Sequence, residues 1–180
     1  MKVLVLGKNS QVGKSFPQKK NFIFLSKKQV DITNIKQLEN KIDLISPNII
    51  INLVAYNNVP KCEVDYKNAL NIKNALNINY GGVLNLLKII KNKKIFLIHV
   101  STDYVFSGKK SLNSTWKVNS QRNPLNKYGL SKKLGEDLII KSKNYNSLIV
   151  RTSWVFSKYN ENFVKKILKL SQLNKTIDVV

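Results

Sequence analysis

The sequence is short of the residues that build disulfides and metal centres. Its 180 residues include one cysteine, Cys62, and one histidine, His99. A lone cysteine has no partner for an internal disulfide, which is typical of a protein from a reducing cytoplasm. Structural zinc is held by about four His or Cys ligands, more than this chain offers. We therefore expect a cytoplasmic protein without a metal centre.

Long hydrophobic segments are missing as well. No run approaches the roughly eighteen apolar residues that a membrane-spanning helix requires. The N-terminal stretch MKVLVLGKNSQVG has a short apolar run that turns at once into glycine and polar residues. A signal peptide has a longer apolar region and a cleavage site of small residues. We expect no membrane partner and interpret this run as a first strand.

Acidic residues are scarce, with 10 against 31 basic residues and a formal net charge of +21. Such an excess favours a nucleic-acid partner, which steep salt dependence of DNA binding would reveal. Arginine, the better residue for bidentate recognition of phosphate, occurs only at Arg122 and Arg151, and the lysines are dispersed. Lys, Asn and Ile share A/T-rich codons, so a biased genome would produce the same composition. We therefore expect no nucleic-acid binding.

Short apolar runs alternate with helical patterns along the chain. The runs predict strands at Lys2–Leu6, Asn21–Leu25, Asn48–Ala55, Lys94–Val100 and Ser147–Val155, with a sixth beginning at Thr176–Val180. Helices are predicted from near Gln11, at Asn34–Ile45, from Cys62 to Ile90 with an interruption near Tyr80, around Tyr128, and at Glu161–Leu173. This alternation predicts an α/β fold, a Rossmann-type doubly wound parallel sheet with helices on both faces, over residues 1–180.

The segment GKNSQVG follows the first strand and places Gly7 and Gly13 at its two ends. In doubly wound folds, a glycine turn between a strand and a helix lets the backbone approach the pyrophosphate of a dinucleotide. The spacing alone is weak evidence, because it arises often by chance. Its position directly after the first strand strengthens the interpretation, although Ser10 stands where the motif has its middle glycine.

The end of the second strand carries Ser26, Lys27 and Lys28. An acidic residue at this place would bind the ribose diol of NAD. No carboxylate is present to repel a 2′-phosphate, and two ammonium groups could attract one, so we expect NADP(H) to be accepted. The alternative is that Lys27 and Lys28 are ordinary solvated lysines.

Tyr128 and Lys132 lie four residues apart, one turn of a predicted helix. A phenol has a pKa near 10, and a neighbouring ammonium group lowers that pKa and improves the phenol as an acid. By spacing alone a surface pair without function is the stronger interpretation. The predicted helix follows the fourth strand, however, and the carboxyl end of that strand carries Thr102. In doubly wound folds ligands bind at the carboxyl ends of the strands, so the three side chains are expected to converge there.

Several motifs occur in an order that resembles a known family. They are GKNSQVG (7–13), VDIT (30–33), PNIIINLVAYNNVPKCE (47–63), STDYVFSG (101–108), NPLNKYGLSKKLGE (123–136), RTSWVF (151–156) and NFVKKILKL (162–170). Together they resemble the dTDP-4-dehydrorhamnose reductases, which are extended short-chain dehydrogenases/reductases. The combination of STDYVF, NPLNxYGxSK and RTSWV is far more specific than any single motif, and the resemblance covers essentially the whole chain.

The resemblance implies an activity and a set of roles. The activity is reduction by NADPH or NADH of the 4-keto group of a dTDP-linked 6-deoxy sugar, which converts dTDP-4-dehydrorhamnose to dTDP-L-rhamnose for cell-surface polysaccharide. Tyr128 would protonate the keto oxygen, Lys132 would tune Tyr128 and hold the nicotinamide ribose, and Thr102 would hydrogen-bond the same oxygen. The implied cofactor-binding residues are Gly7, Asn9, Gln11, Val12, Gly13, Asp31, Ile32, Ala55 and Tyr56, besides Tyr128 and Lys132. The implied substrate-binding residues are Val59, Thr102, Asp103, Tyr104 and Trp154.

Two of the implied substrate residues have simpler explanations. Trp154 could be a core aromatic at the end of a strand, and Asp103 could stabilise a turn. The sequence also departs from the family pattern at Ser10 and within NLVAYNNVP (52–60). The family continues for roughly another hundred residues, most of a substrate domain beside the cofactor domain. We therefore expect residues 1–180 to bind cofactor weakly and to reduce substrate poorly or not at all.

Three further interpretations stay open at this point. The chain could belong to another extended reductase, epimerase or dehydratase that acts on a different nucleotide sugar. It could be a non-catalytic subunit, such as the reductase-like regulatory partner of methionine adenosyltransferase, although both Tyr128 and Lys132 are retained. A homodimer is one assembly that the sequence leaves open.

Overall fold

The computed structural model describes residues 1–67, 72–108, 115–142, 146–173 and 176–177. Its strands are β1 (Val3–Leu6), β2 (Phe22–Leu25), β3 (Ile49–Asn52), β4 (Phe96–Thr102) and β5 (Ser147–Thr152). They form a parallel sheet in the order β2-β1-β3-β4-β5. The order reverses between β1 and β3, and in doubly wound sheets such a reversal marks the crevice where ligands bind.

Helices connect these strands. They are α1 (Gln11–Ser15), α2 (Ile35–Ile45), α3 (Val59–Lys67), α4 (Ile72–Leu76), α5 (Gly82–Ile90), α6 (Lys127–Lys141) and α7 (Phe163–Leu173). A π-helical turn, Asn77–Gly81, separates α4 from α5, and a 3-10 turn, Asp103–Val105, follows β4. The predicted Rossmann-type α/β fold is confirmed.

The main core lies between the sheet and the helices α2, α5 and α6. Its fully or nearly fully buried members include Leu4, Leu6, Ile50 and Leu97 from the strands and Leu38, Ile42, Leu86, Ile90 and Ile139 from the helices. Leu38 and Ile42 are the apolar positions whose spacing predicted α2. The helix ends at Ser46, which adopts a left-handed φ of 49° and donates its N–H to the carbonyl of Ile42. Pro47 follows directly and could not have continued the helix.

The opposite face of the sheet carries a smaller core. Val3, Val5 and Ile51 are buried there, and the rings of Phe16, Phe22 and Phe24 pack around them. Phe16 comes directly after α1, which ends at Ser15 as the nearby proline predicted. None of the side chains of α7 is buried. Within the residues that the structure describes, no helix is long and apolar enough to cross a bilayer.

Several predicted boundaries were wrong. The third strand ends at Asn52 rather than Ala55, because Asn52 turns the chain by accepting the N–H of Val54 on its side-chain oxygen. The fifth strand ends at Thr152, the last residue that pairs with β4, rather than at Val155. For the predicted sixth strand, residues 176 and 177 are not in a strand, and 178–180 lie outside the described residues. The interruption predicted near Tyr80 is the π-helical turn.

Candidate functional site

Two glycines allow close packing around the turn that follows β1. Gly7 follows β1 with a φ of +95°, and a Cβ at this residue would lie 3.1 Å from the Cβ of Leu53. A Cβ at Gly13 would lie 2.5 Å from the carbonyl oxygen of Gly7. A side chain at Gly13 would push the turn and the helix apart, and one at Gly7 would press on Leu53, which follows β3. The glycine spacing therefore has the structural reason that the motif predicts.

Ser10, the residue in place of the middle glycine, caps α1. Its backbone is extended, and its Oγ accepts the N–H of Gly13 at 2.9 Å. Serine is one of the preferred residues at this position, because its oxygen pairs a donor that the first turn of a helix leaves free. The departure from the family pattern thus has a local structural role.

A cleft of about 510 Å³ opens above the glycine turn at the carboxyl ends of the strands. Seven of the predicted site residues line it, namely Gly7, Asn9, Gln11, Val12, Ala55, Tyr128 and Lys132. Asp31 and Ile32 line a small neighbouring cavity of about 30 Å³ that shares Gly7, Lys27 and Val54 with the cleft. Gly13 is buried behind the turn, and Tyr56 lines neither cavity. Of the two lysines after β2, Lys27 lines the cleft.

Asp31 is held in a turn. Its Oδ1 accepts both the N–H and the hydroxyl of Thr33, at 2.9 and 2.7 Å. Burial raises the pKa of this carboxyl, but the hydrogen bonds from Thr33 and the charge of Lys27 outweigh it, so the pKa lies below its usual value. Lys27 therefore contributes a positive charge to the lining of both the cleft and the smaller cavity.

Tyr128 stands in the first turn of α6, next to the end of β4. The helix is capped by Asn126, whose Oδ1 accepts the N–H of Gly129 at 2.7 Å. The Tyr128 phenol is hydrogen-bonded to Thr102, and its ring meets that of Tyr104 edge to face with centroids 5.8 Å apart. Burial raises the pKa of Tyr128 to about 12, and the Asp103 carboxylate adds to this against the Thr102 hydrogen bond. The phenol therefore keeps its proton at neutral pH.

Lys132 is buried, with 1% of its surface exposed. Its Nζ donates to the carbonyl of Val100 at 2.8 Å and lies 3.2 Å from Nε2 of His99. Burial lowers the pKa of Lys132 to about 8, against the charge of Glu136. The surface-pair interpretation of Tyr128 and Lys132 is therefore wrong. The expectation that Lys132 lowers the pKa of Tyr128 is wrong as well, because that pKa is raised and the hydrogen bonds of Nζ lead to β4 instead.

Both arginines of the chain are engaged inside the protein. Arg151 binds the fully buried Glu136 through two nitrogens, at 2.9 and 2.8 Å, and Arg122 binds the same carboxylate at 3.0 Å. Arg122 also reaches Asp137 at 2.7 Å. Burial raises the pKa of Glu136, but the hydrogen bonds and the charge of Arg151 outweigh burial and bring the pKa below its usual value. Glu136 is therefore ionised. These contacts hold α6 to β5 and to the loop before the helix.

An aromatic groove of about 590 Å³ adjoins the cleft and shares Asn57 and Val155 with it. Its other lining residues are Asp103, Tyr104, Phe106, Gly108, Trp116, Leu125, Asn126, Ser153, Trp154 and Phe163. Three predicted substrate residues, Asp103, Tyr104 and Trp154, are thus brought together. Val59 begins α3 and lies outside this lining, and Thr102 reaches the site through its hydrogen bond to Tyr128.

Trp154 and Asp103 resolve the alternatives left by the sequence. Trp154 is 66% exposed, has a φ of 51° and packs on Phe163 with ring centroids 4.6 Å apart. The interpretation of Trp154 as a core aromatic is therefore wrong. Asp103 accepts the hydroxyls of Ser153 at 2.6 Å and Thr102 at 3.1 Å. It joins the ends of β4 and β5, which agrees with the stabilising role. It also lines the groove, and its contact with substrate stays a prediction.

Sequence reasoning missed the buried polar residues that support the site. Asn79, in the π-helical turn, binds both backbone groups of Tyr56 and donates to the Ser131 hydroxyl at 2.8 Å. Asn52 and His99 lie next to each other inside β3 and β4. A polar residue within an apolar strand run was a signal for the last two. In the described part of the chain, no group of three or more His, Cys, Asp or Glu side chains is placed to hold a metal.

Comparison with known proteins agrees with the motif resemblance. The chain is 35% identical over 185 residues to the dTDP-4-dehydrorhamnose reductase of Aggregatibacter actinomycetemcomitans, covering 99% of this chain and 60% of that protein. It is 34% identical to the reductase of the same name from Sinorhizobium fredii, covering 59% of it. The chain thus spans about three fifths of the length of the curated relatives that it matches.

Solved structures show the same likeness. A dTDP-4-dehydrorhamnose reductase from Bacillus anthracis, crystallised with NADP, matches with a TM-score of 0.83 and 32% identity over 96% of this chain and 61% of that one. One from Clostridium acetobutylicum matches with a TM-score of 0.83 and 31% identity, over 96% and 60%. The family model described as "RmlD substrate binding domain" matches residues 1–180. With that model covering every residue, the chain belongs to the RmlD substrate binding domain family.

Proposed function

We propose that the chain is the cofactor-binding and proton-donating part of a dTDP-4-dehydrorhamnose reductase. The observation that carries the proposal is the meeting of the cleft and the groove beside Tyr128. Tyr128 lines the cleft above the glycine turn. Its ring also contacts Tyr104, which lines the aromatic groove. A dinucleotide and a nucleotide sugar bound in these two places would bring their reacting ends to the same phenol.

The residues present fit a dinucleotide. A Cβ at Gly13 would fill the close approach of turn and helix that a pyrophosphate-binding turn requires, and Gly7 has the positive φ of such a turn. When bound, NADPH or NADH would supply the hydride that reduces the sugar's 4-keto carbon. Asn9, Gln11 and Val12 would line the pyrophosphate, while Ala55 and Lys132 would face the nicotinamide end.

Tyr128 and Thr102 would act on the keto oxygen. With its pKa raised to about 12, Tyr128 is protonated at neutral pH but is a weaker acid than a free phenol. It would donate its proton to the keto oxygen as alkoxide charge develops there, since an alkoxide is the stronger base. Thr102, already hydrogen-bonded to the phenol, would orient the same oxygen. Lys132, which lines the cleft, would bind the nicotinamide ribose. The exposed indole of Trp154 and the ring of Tyr104 would contact the nucleotide sugar.

The wider assignments belong to the same proposal. Residues 1–180 would form the NAD(P)-binding domain of the reductase. The compartment would be the cytoplasm, where nucleotide sugars are made. A homodimer stays a prediction, which sedimentation of the purified chain would check.

The experiment measures cofactor binding and reduction separately. NADPH is titrated into the wild-type chain, Gly13→Val, Gly81→Ala and Tyr128→Phe, after circular dichroism has established that each variant folds. Gly81 is the matched control, since a Cβ there would have its nearest neighbour at 3.8 Å. We expect binding to the wild type, Gly81→Ala and Tyr128→Phe, and loss of binding in Gly13→Val.

Reduction is then followed by mass spectrometry with dTDP-4-dehydrorhamnose and NADPH at high protein concentration. If reduced sugar is detected, we expect it with the wild type and not with Tyr128→Phe. A wild type that does not bind NADPH would contradict the cofactor assignment. Product formed equally by Tyr128→Phe would contradict the catalytic one. A panel of other nucleotide 4-keto sugars separates this substrate from those of related enzymes.

A further inference from the structure

Three polar side chains form a buried row from β3 through β4 to α6. Asn52, His99 and Lys132 are 1%, 0% and 1% exposed. Nδ2 of Asn52 lies 3.0 Å from Nδ1 of His99, and Nε2 of His99 lies 3.2 Å from Nζ of Lys132. We call these three side chains the buried polar row. The proposed reaction assigns no role to its first two members.

The hydrogen bonds at one end of the row determine its direction, that is, which side chain donates and which accepts at each contact. Oδ1 of Asn52 accepts the N–H of Val54 at 3.1 Å, so the amide nitrogen is the atom that faces His99. That nitrogen can only donate, and Nδ1 of His99 must accept. A neutral imidazole carries one proton, which therefore sits on Nε2. The Nε2–H group then points at Lys132.

A lysine that accepts this hydrogen bond has to be a neutral amine, because an ammonium nitrogen has no lone pair. As a neutral amine, Lys132 accepts from Nε2–H and donates to the Val100 carbonyl, so every contact in the row pairs a donor with an acceptor. An ammonium would need Nε2 as an acceptor and would move the imidazole proton to Nδ1. That proton would face the Asn52 amide nitrogen, and rotating the amide would set its NH₂ against the N–H of Val54.

The titratable groups around Lys132 are either neutral or already paired with arginine. Glu136 lies one turn further along α6 and raises the pKa of Lys132, but its carboxylate is held by Arg151 and Arg122. Tyr128, one turn earlier, keeps its proton. Burial lowers the pKa of His99 well below its ordinary value, with Lys132 adding to the effect, so an imidazolium is not the alternative.

We propose that Asn52 and His99 are positioning residues that pair with Lys132 as a neutral amine at alkaline pH, and that protonation of Lys132 towards neutral pH reverses the direction of the buried polar row. Uptake of one proton makes the ammonium and shifts the imidazole proton from Nε2 to Nδ1, where the rotated Asn52 carbonyl accepts it. The row thereby couples the charge of the lysine beneath the cleft to a tautomer inside the sheet. Its consequence for a bound cofactor depends on the proposed function, whereas its hydrogen-bond direction does not.

The single histidine makes the test direct. Two-bond ¹H–¹⁵N NMR of the wild-type chain identifies the imidazole tautomer without assignment of other residues. At about pH 10 we expect the Nε2–H tautomer, and on acidification through the pKa of Lys132, about 8, a change to the Nδ1–H tautomer with the ring still neutral. In Lys132→Met we expect the Nε2–H tautomer at every pH, because nothing takes up the proton.

The outcomes divide clearly. An Nδ1–H tautomer at every pH in the wild type would overturn the proposal, since Lys132 would then donate to His99 throughout. An Nε2–H tautomer that persists while Lys132 titrates would overturn the coupling, and so would a charged imidazole in this range. Asn52→Asp, which keeps the acceptor for Val54 but replaces the NH₂ group by an oxygen, should give the Nδ1–H tautomer. None of these readings requires NADPH, so they stand or fall independently of the reductase assignment.

Discussion

Arg151 and Glu136 meet as a two-pronged pair that joins β5 to α6. Nε of Arg151 lies 2.9 Å from Oε1 of Glu136, and its Nη2 lies 2.8 Å from Oε2. The carboxylate is fully buried, and the arginine side chain is 17% exposed. The same arginine donates to the Val118 carbonyl at 2.9 Å and lies 5.1 Å above the Phe106 ring. This pair therefore stabilises the helix that carries Tyr128 and Lys132.

We expect Arg151→Met to destabilise the fold strongly. Removing one partner of a buried ion pair leaves a buried charge partly uncompensated, which typically costs about 3–5 kcal/mol. Arg122 still holds Glu136, so a loss near 3 kcal/mol in the free energy of unfolding is expected by urea titration. Lys169→Met is the control, because Lys169 and its partner Glu161 are 66% and 74% exposed. That change should cost about 0.5 kcal/mol or less.

The same pair predicts a change in acid stability. The pKa of Glu136 lies below its usual value in the folded chain, so its ion pairing stabilises the fold above the unfolded value and is lost as pH falls through the folded pKa. Arg151→Met should therefore unfold at a higher pH on acidification. Adding Glu136→Gln to Arg151→Met should restore part of the lost stability. Equal stability of Arg151→Met and Lys169→Met at neutral pH would contradict both expectations.

Lys132 predicts a rise in stability at alkaline pH. Its pKa is about 8 in the folded chain and near 10.5 when unfolded, so between these values the folded state binds fewer protons than the unfolded state. Stability then increases with pH across this window, by about 3 kcal/mol in all at 1.36 kcal/mol per unit. Lys132→Met lacks this gain and should be the more stable protein at neutral pH, with the difference shrinking towards pH 10.5.

Tyr128 requires a correction in that measurement, because its raised pKa has the opposite sign. The folded chain keeps the phenol proton between about 10 and 12, so stability falls with pH there. Comparing Tyr128→Phe with the double variant Tyr128→Phe/Lys132→Met removes this effect. The free energies of unfolding of the two proteins could instead change in parallel from neutral pH to pH 10.5. That result would show that burial of Lys132 does not destabilise the fold.

Much of the fold follows from local pattern, and most of the supporting site does not. The strands were predicted because short apolar runs alternate with helical patterns in this chain, and α2 because residues such as Leu38 and Ile42 repeat at helical spacing. The ends of β3 and β5 were wrong because side-chain contacts, such as Asn52 with Val54, decide where pairing stops. Pairs such as His99 with Lys132 join residues from separate elements, so spacing in the sequence carries no sign of them.

Lys27 should decide how the cleft distinguishes NADPH from NADH. Both lysines are exposed, but Lys27 lines the cleft and influences Asp31, whereas Lys28 does not line the cleft. If Lys27 binds the 2′-phosphate, Lys27→Ala should weaken NADPH about tenfold, which corresponds to about 1.4 kcal/mol, and leave NADH nearly unchanged. Lys28→Ala is the matched control and should leave both affinities near wild type. Calorimetry with both cofactors checks this, and equal losses in the two variants would mean that charge alone attracts NADPH.

Asn79 should control the cofactor cleft from the π-helical turn. Its Oδ1 accepts the N–H of Tyr56 at 2.8 Å, and its Nδ2 donates to the Tyr56 carbonyl at 3.0 Å and to the Ser131 hydroxyl at 2.8 Å. Asn79→Ala leaves these partners without their bonds in a part-buried setting, which should cost about 2–3 kcal/mol. Asn77, exposed in the same turn, is the control, and Asn77→Ala should cost far less.

Cofactor affinity separates this role from a general loss of stability. Tyr56 follows Ala55, which lines the cleft, so a loosened Tyr56 backbone should weaken NADPH under conditions where Asn79→Ala is still fully folded. Hydrogen exchange should show faster opening at the Tyr56 amide, because that N–H loses its acceptor. Protection in β1 and β3 should be unchanged, because the hydrogen bonds of the Asn79 side chain lead to Tyr56 and Ser131. Lowered stability with unchanged exchange at Tyr56 would mean that Asn79 supports only the packing of α6 on the π-helical turn.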